Sequence, residues 1–414
     1  MSATVIWSED YLAYKWAHTH PMNPVRLALT MSLAQSLGIL DDADIVAPRS
    51  IDDDALTVVH SRDYIDAVRA VGSGTASLSG PLLERLFGLG GADNPIFDGM
   101  HEAARLLVGG TLAAAQAVGS GAVRRAVNIG GGMHHAMTAR AAGFCVYNDC
   151  AVAIHWLLEN GYDRIAYIDV DAHHGDGVQT AFAADPRVLT VSLHQHPATL
   201  WPGTGWPTEV GDDRAQGTAV NLPFMPDTPD RLWLRGFHAV VPSVIEAFRP
   251  QILISQCGAD SHRADPLTDL ALTVDGQRAA MIAMRDLAER YCEGRWIAVG
   301  GGGYGVINVV PRSWTHLLAV ALDKDIDVTT SIDERWCAAA EEVAGQVHPD
   351  YARRPVRVMG DAGDTDFVAW DGDTGQPPAP GLTEVAQRQT DRAIMSTRKA
   401  VFPLHGLDPE DPRD

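Results

Sequence analysis

No CxxC pair occurs among the five cysteines, at positions 145, 150, 257, 292 and 337, and their number is odd. That leaves out the CxxC redox and zinc motifs and makes buried, reduced thiols of a cytoplasmic protein the simplest account. No apolar run reaches the length needed to cross a bilayer. The opening stretch, MSATVIWSEDYL, has no basic region followed by an apolar one, so a signal peptide is not expected. Basic charge is also scarce. The 32 Lys and Arg face 53 Asp and Glu, giving a formal net charge of −21. Such a surface argues against binding a phosphate backbone and favours a lysine-rich peptide partner. Acidic runs such as Asp52-Asp53-Asp54 read as solvated surface. No internal repeat is present.

What the chain does have is a polar stretch where an apolar strand should end. Residues 164–168 (RIAYI) read as a buried parallel strand, and Asp169-Val170-Asp171-Ala172-His173-His174-Gly175-Asp176 follows. Three carboxylates and two imidazoles in eight residues are costly to bury without a cation. Alternation puts Asp169, Asp171 and His173 on one side of an extended chain. Oxygen and nitrogen donors at that spacing suit a zinc-like ion, placed where open α/β sheets carry their chemistry. The plainer alternative is a hydrogen-bonded polar turn capping the next helix.

Around this stretch, short β-rich runs alternate with helical patterns. Strands are expected at 4–7, 126–129, 188–194, 251–255 and 296–299. Helices are expected from Pro24, within 95–118, and at 149–160, 177–184, 230–248, 275–291 and 313–322. The alternation predicts a parallel sheet covered by helices on both faces. The pattern changes near residue 325. Residues 332–347 are amphipathic, 360–381 form a Gly-, Asp- and Pro-rich loop, and 384–401 are helical again. The reading is therefore a catalytic domain over 1–325, with 326–414 as an extension packed on it or on a partner subunit.

Three further constellations fall at strand ends. His134 and His135 follow the triple glycine of GGGMHHAM, and Asp169 and Asp176 are the carboxylates left over to orient such imidazoles. Asp260 follows the strand at 251–255; with Asp171 and His173 it would leave one position open, as in a catalytic zinc site. Gly300-Gly301-Gly302-Gly303 leads into Tyr304, a suitable donor to a developing oxyanion. The same glycines formally match GxGxxG, but late in the chain and without a first βαβ unit, which makes dinucleotide binding a poor reading.

Together these segments resemble the histone deacetylase family, most closely its bacterial acetoin-utilization subgroup, which is related to the class I members. The stretches that carry the resemblance are HPMNPVR (20–26), DNPIFDGMHEAA (93–104), GGGMHHAM, GFCVYND (143–149), DVDAHHGDG, TVSLH (190–194), PGTG (202–205), QCGADSHRADPL and GGGGYG, with FPLHGLDP (402–409) in the tail. The resemblance implies the three-layer arginase/deacetylase α/β fold, with a central, mostly parallel sheet, and metal-dependent hydrolysis of acyl-lysine amides. It makes Asp171, His173 and Asp260 the ligands of a zinc-type ion, ferrous iron being the alternative. His135 with Asp176 becomes the general base and acid, His134 with Asp169 its electrostatic partner, and Tyr304 the group that polarises the amide. Phe144, Trp201 and Gly143 would line the acyl-lysine channel, with Leu267 at its rim and Asp93 holding the substrate backbone. Potassium would bind through Asp169, Asp171, His173, Ser192 and Leu193.

Departures from the family pattern narrow the expectation. Where nuclear class I enzymes place basic residues for inositol phosphate, this chain has Asn23, Pro266 and Ile307, so no corepressor complex is expected. Leu267 is apolar where polyamine-specific relatives are acidic, which favours an acetylated protein or peptide over acetylpolyamines. Acetylated metabolic enzymes such as acyl-CoA synthetases are the substrates the subgroup suggests. A two-metal ureohydrolase would need another carboxylate where Gly175 stands. A non-catalytic acyl-ligand binding protein would not be expected to keep every catalytic position filled. A homo-oligomer is compatible with this reading.

Overall fold

The buried apolar runs pair edge to edge into one sheet. In this computed structural model, residues 3–17, 19–345, 347–349, 351–372, 378 and 381–414 are described. The strands are β1 (Ala3–Ile6), β2 (Asp44–Val46), β3 (Arg125–Asn128), β4 (Ile165–Asp169), β5 (Val188–Gln195), β6 (Ala219–Phe224), β7 (Ile252–Gln256) and β8 (Trp296–Val299). Their order is β2-β1-β3-β8-β7-β4-β5-β6, and every neighbouring pair is parallel. β3 to β8 are buried at every position. Helices cover both faces, as buried parallel strands require. This is the parallel sheet with helices on both faces that the alternation predicts, and the three-layer arginase/deacetylase α/β architecture that the resemblance implies.

Parallel strands put all their carboxyl ends on one edge. The loops leaving β3, β8, β7, β4 and β5, five adjacent strands, carry the two tandem histidines, Tyr304, Asp260, the Asp/His stretch and Trp201. The sequence expectations agree with the observed elements to within a few residues. Two strands and three helices lie outside them: β2, β6, Asp53–Leu56, Arg62–Gly72 and Gly80–Phe87. β2 is three exposed residues at the sheet edge and carries no burial signal. β6 contains Pro223, a residue tolerated only at a sheet edge, which is where β6 lies.

Helix Glu384–Val401 covers that edge. Thr397 donates to the Asn221 carbonyl of β6 at 2.6 Å, and Arg398 donates to the Ala239 carbonyl at 2.7 Å. Trp336, Ile394, Val401 and Phe402 of the last ninety or so residues join the same buried apolar cluster as the sheet. The loop expected at 360–381 is irregular as far as residue 372; positions 373–377, 379 and 380 lie outside the described residues.

Asp361, in that loop, reaches back into the main body. Its carboxylate lies 2.8 Å from His262 Nε2 and 2.8 Å from Arg312 Nη1, and it accepts from Val274 N at 3.0 Å. Burial works against its charge, but the His262 hydrogen bond and the Arg312 guanidinium outweigh burial and hold its pKa well below the usual carboxylate range. Asp361→Ala removes the carboxylate from a buried guanidinium and should cost about 3 kcal/mol of stability at neutral pH. A depressed folded-state pKa gives stability that is present above the unfolded value, about 3.9, and lost below it. Chemical denaturation should therefore show the wild-type advantage shrinking as pH falls below about 4. An advantage that is flat with pH would assign it to packing alone.

Candidate active site

β3 ends at Asn128, and the chain turns through Gly130–Gly132 to reach His134 and His135. That turn is anchored by Asp149, in the first turn of helix Asp149–Glu159. Its carboxylate accepts from Gly132 N at 2.9 Å, Met133 N at 2.7 Å and the Thr111 hydroxyl at 2.5 Å. The helix itself is capped by Asn148, whose side chain accepts from Ala151 N. A local capping sequence thus fixes the loop that carries both imidazoles.

The two histidines, with rings 3.9 Å apart, each meet a carboxylate. His134 Nδ1 lies 2.8 Å from Asp169 Oδ2, and His135 Nδ1 lies 2.7 Å from Asp176 Oδ1. Tyr167, two residues earlier on β4, donates to Asp169 Oδ2 at 2.7 Å. The pairs differ electrostatically. Burial pulls His134 down, but Asp169 and Asp171 overcome it and raise its pKa to about 9. Burial, joined by the charge of His134, lowers His135 to about 4 despite Asp176. One imidazole is held cationic and its neighbour neutral, with Nδ1–H on Asp176 and Nε2 free to accept a proton.

Beside them, donor atoms of Asp171, His173 and Asp260 lie within 4.8 Å of one another. His173 Nδ1 is 3.1 Å from Asp171 Oδ1 and 3.0 Å from Asp260 Oδ2. Backbone and amide donors aim the carboxylates. Gln256 Nε2 donates to Asp171 Oδ2 at 2.7 Å, Gly302 N to the same oxygen at 2.8 Å, and Ala172 N to Asp260 Oδ1 at 2.8 Å. Two buried carboxylates and one imidazole converging on one point fit a divalent ion. A side chain at Gly302 would overlap the Asp260 carboxylate, so glycine is required there.

Tyr304 follows on the same glycine strap. Asp265 holds the strap by accepting from Tyr304 N at 2.7 Å and Gly305 N at 3.3 Å, while Arg26 Nη1 donates to the Gly303 carbonyl at 2.9 Å. These bonds run through backbone atoms and leave the phenol out of the scaffold. Burial, then the Asp260 and Asp171 carboxylates, push the phenol well above its ordinary pKa, so it stays a donor.

The other sequence-predicted residues gather around the same point. Phe144 stacks edge-on to Tyr304 at 5.6 Å, and Trp201 edge-on to His135 at 4.6 Å. Gly143, at φ +51°, has His135 Cδ2 2.5 Å and Trp201 Cη2 2.7 Å from where a Cβ would stand, so only glycine fits. Leu267 is half-buried, and its backbone N donates to Asp265 Oδ1 at 3.0 Å. Asp93 is exposed, and its carbonyl lies 3.2 Å from His20 Nε2. Ser192 sits opposite Asp169 in the β4–β5 register, with Leu193 next to it on β5. Gln256, Asp149, Tyr167, Asp265 and Arg26 were not singled out by the sequence reading. Gln256 and Asp265 stand inside the quoted QCGADSHRADPL motif, beside Asp260, and that adjacency was the available signal.

A histone deacetylase domain model matches residues 20–321. The chain belongs to the histone deacetylase family. Among curated members, it is similar to the acetoin utilization protein AcuC of Bacillus subtilis (strain 168), 44% identical over 332 residues, covering 80% of this chain and 84% of that protein. AcuC of Staphylococcus xylosus is 38% identical over 331 residues, covering 80% and 85%. The crystal structure of a histone deacetylase homologue from Aquifex aeolicus superposes with a TM-score of 0.79 at 25% identity, covering 95% of this chain and all of that one. A homologue complexed with SAHA gives a TM-score of 0.78 at 25% identity, covering 95% and 100%. As a histone deacetylase family member similar to AcuC, the chain is a hydrolase of the deacetylase class. No described helix is long and apolar enough to cross a membrane.

Proposed function

We propose that this histone deacetylase family member hydrolyses Nε-acetyl-lysine in proteins, releasing acetate, with a zinc-type ion on Asp171, His173 and Asp260. The observation that carries it is the meeting of that donor set with two imidazoles, each hydrogen-bonded through Nδ1 to its own carboxylate. A bound divalent ion supplies Lewis acidity to the amide carbonyl and lowers the pKa of water. The protein's own groups do the rest. His135 Nε2 takes the proton of the attacking water while Asp176 holds its tautomer. His134, kept cationic by Asp169 and Asp171, stabilises negative charge on the tetrahedral intermediate. Tyr304 donates to its oxyanion. The C–N bond breaks as His135 returns the proton to the lysine nitrogen, leaving the substrate's lysine with its free ε-amine, and acetate. Phe144 and Trp201 offer apolar walls to the lysine methylenes.

The finer expectations belong here too. Potassium on Asp169, Asp171, His173, Ser192 and Leu193 would lock β4 to β5 below the site. We propose acetylated metabolic enzymes, such as acyl-CoA synthetases, as substrates in the cytoplasm, and residues 326–414 as an extension of a 1–325 catalytic domain. Asn23, Pro266 and Ile307 supply no basic residue for an inositol phosphate. The test is acetate release from an acetyl-lysine peptide by metal-loaded protein, lost on chelation and blocked by SAHA, the ligand of the homologue's crystal structure. Faster turnover of acetylspermidine would move the assignment to acetylpolyamines, and no turnover of either would leave a binding protein.

The base must be neutral to work, and His135 is lowered to about 4. Above that value it accepts a proton; below it, it cannot. The acid limb of kcat/KM should therefore appear only as pH nears about 4, in samples whose metal content is measured alongside. An acid limb above pH ~6, with metal retained, would assign the base to a group near the ordinary histidine value.

A further inference from the structure

An oxyanion donor must present its hydroxyl to one place, yet nothing at the Tyr304 hydroxyl holds it there. Among the described residues the hydrogen bonds of Tyr304 run through its backbone, and its phenol oxygen has no partner. Secondary structure does not aim it either. β8 ends at Val299 and the next helix starts at Val310, so Tyr304 lies in irregular chain. Just before it, Gly301 and Gly303 stand at φ +147° and +138°, backbone states that favour glycine. The direction of the phenol is therefore set by bonds made across the strap.

Those bonds lead to one carboxylate. Asp265 is 7% exposed. Its Oδ2 accepts from Tyr304 N at 2.7 Å and Gly305 N at 3.3 Å, and its Oδ1 from Leu267 N at 3.0 Å. With both oxygens engaged, the carboxylate cannot turn without stranding a backbone donor. Asp265 also shares the loop after β7 with Asp260, and its own N donates to the His262 carbonyl at 2.8 Å. Higher on the strap, Ala259 N donates to the Gly302 carbonyl at 2.8 Å and Gly302 N to Asp171 Oδ2 at 2.8 Å. The strap is thus tied twice to the loops that carry the metal donors. The first tie holds the glycines, and the second, through Asp265, acts on the peptide of Tyr304 itself.

We propose that Asp265 is a positioning residue that sets the Tyr304 phenol relative to the Asp171, His173 and Asp260 donor set. The inference rests on the deacetylase reading, with Tyr304 as oxyanion donor, and deepens it. Asp265 then acts on turnover through the Tyr304 hydroxyl, and its effect vanishes when that hydroxyl is absent. A charge effect on the donor set, or a general scaffolding role, would persist without the hydroxyl.

A double-mutant cycle separates these roles. Asp265→Asn keeps the shape but sets an amide NH2 against at least one of the three backbone N–H groups. Asp265→Glu keeps the charge and shifts the acceptor by one methylene. Each is made alone and with Tyr304→Phe, and kcat, KM and metal content are measured on an acetyl-lysine peptide with metal-loaded protein. Alone, either change should lower kcat by about tenfold to a hundredfold, the cost of misplacing a reacting group, with KM and metal content little changed. In the Tyr304→Phe background the same change should alter kcat by less than about twofold. One variant is isosteric and the other enlarged, so a folded protein from either completes the cycle. Failure of both to fold would make Asp265 a scaffold residue and overturn the proposal. Equal losses in the two backgrounds, or no loss in either, would also overturn it and leave the deacetylase reading intact. No turnover of any acetyl-lysine peptide by metal-loaded wild type would overturn both.

Discussion

Asp171→Ala should abolish both metal binding and acetate release. Asp171 is one of three side chains whose donor atoms converge within 4.8 Å, and no fourth residue of the described chain joins that group. Its loss also strands two donors, Gln256 Nε2 and Gly302 N, that now point at its Oδ2 from 2.7 and 2.8 Å. The effect should exceed the 10- to 100-fold loss of metal affinity typical of removing a group that only orients a ligand. Gln256→Leu supplies that comparison, because it leaves all three ligands and removes only the amide that aims Asp171. Metal analysis of the purified proteins, with circular dichroism to confirm folding, gives the readout. Full occupancy in a folded Asp171→Ala protein would place the ion elsewhere. Equal losses in the two variants would make Gln256 more than an orienting group.

Much of this site was legible because its chemistry is written in short, contiguous segments. GGGMHHAM and DVDAHHGDG each put several functional groups within one loop, and each loop follows an apolar run. Alternation then places them at carboxyl ends, and a parallel sheet gathers those ends on one edge. The supporting groups were harder to see. Asp265 acts on Tyr304 across 39 residues and Gln256 on Asp171 across 85, so neither pairing has a local pattern. β2 escaped notice because three exposed edge residues carry no period, and β6 because Pro223 breaks the strand signal. The role of Asp361 was similarly hidden: a Gly- and Asp-rich loop looks solvated until its carboxylate is found against His262 and Arg312.

Coupling between the two imidazoles follows from that long-range assembly. Asp169 and Asp171 keep His134 charged, and His134 in turn helps burial to keep His135 neutral. Both histidines occupy adjacent positions on one loop, so their opposite states come from their partners and not from the sequence around them. In the proposed mechanism His135 carries both the base and the acid step, and His134 contributes fixed positive charge beside it. Neither group stabilises the oxyanion through a neutral hydrogen bond. In that mechanism the task falls to the Tyr304 phenol.

Tyr304→Phe should lower kcat by roughly a hundredfold to a thousandfold, the range for removing one oxyanion donor. The substitution deletes one oxygen and keeps the ring that packs edge-on to Phe144 at 5.6 Å. It also leaves the scaffold of the strap in place, because Asp265 and Arg26 hold residues 303–305 through backbone atoms. The metal donors Asp171, His173 and Asp260 are untouched. KM and metal content should therefore change little, since the interaction lost is made only as charge develops on the carbonyl oxygen. If Tyr304 were a packing residue on a glycine turn, deleting its hydroxyl would barely slow turnover. Steady-state kinetics on an acetyl-lysine peptide distinguishes the two roles. A kcat within about threefold of wild type, at normal metal content, is smaller than any oxyanion-donor loss and would assign that donor to another group.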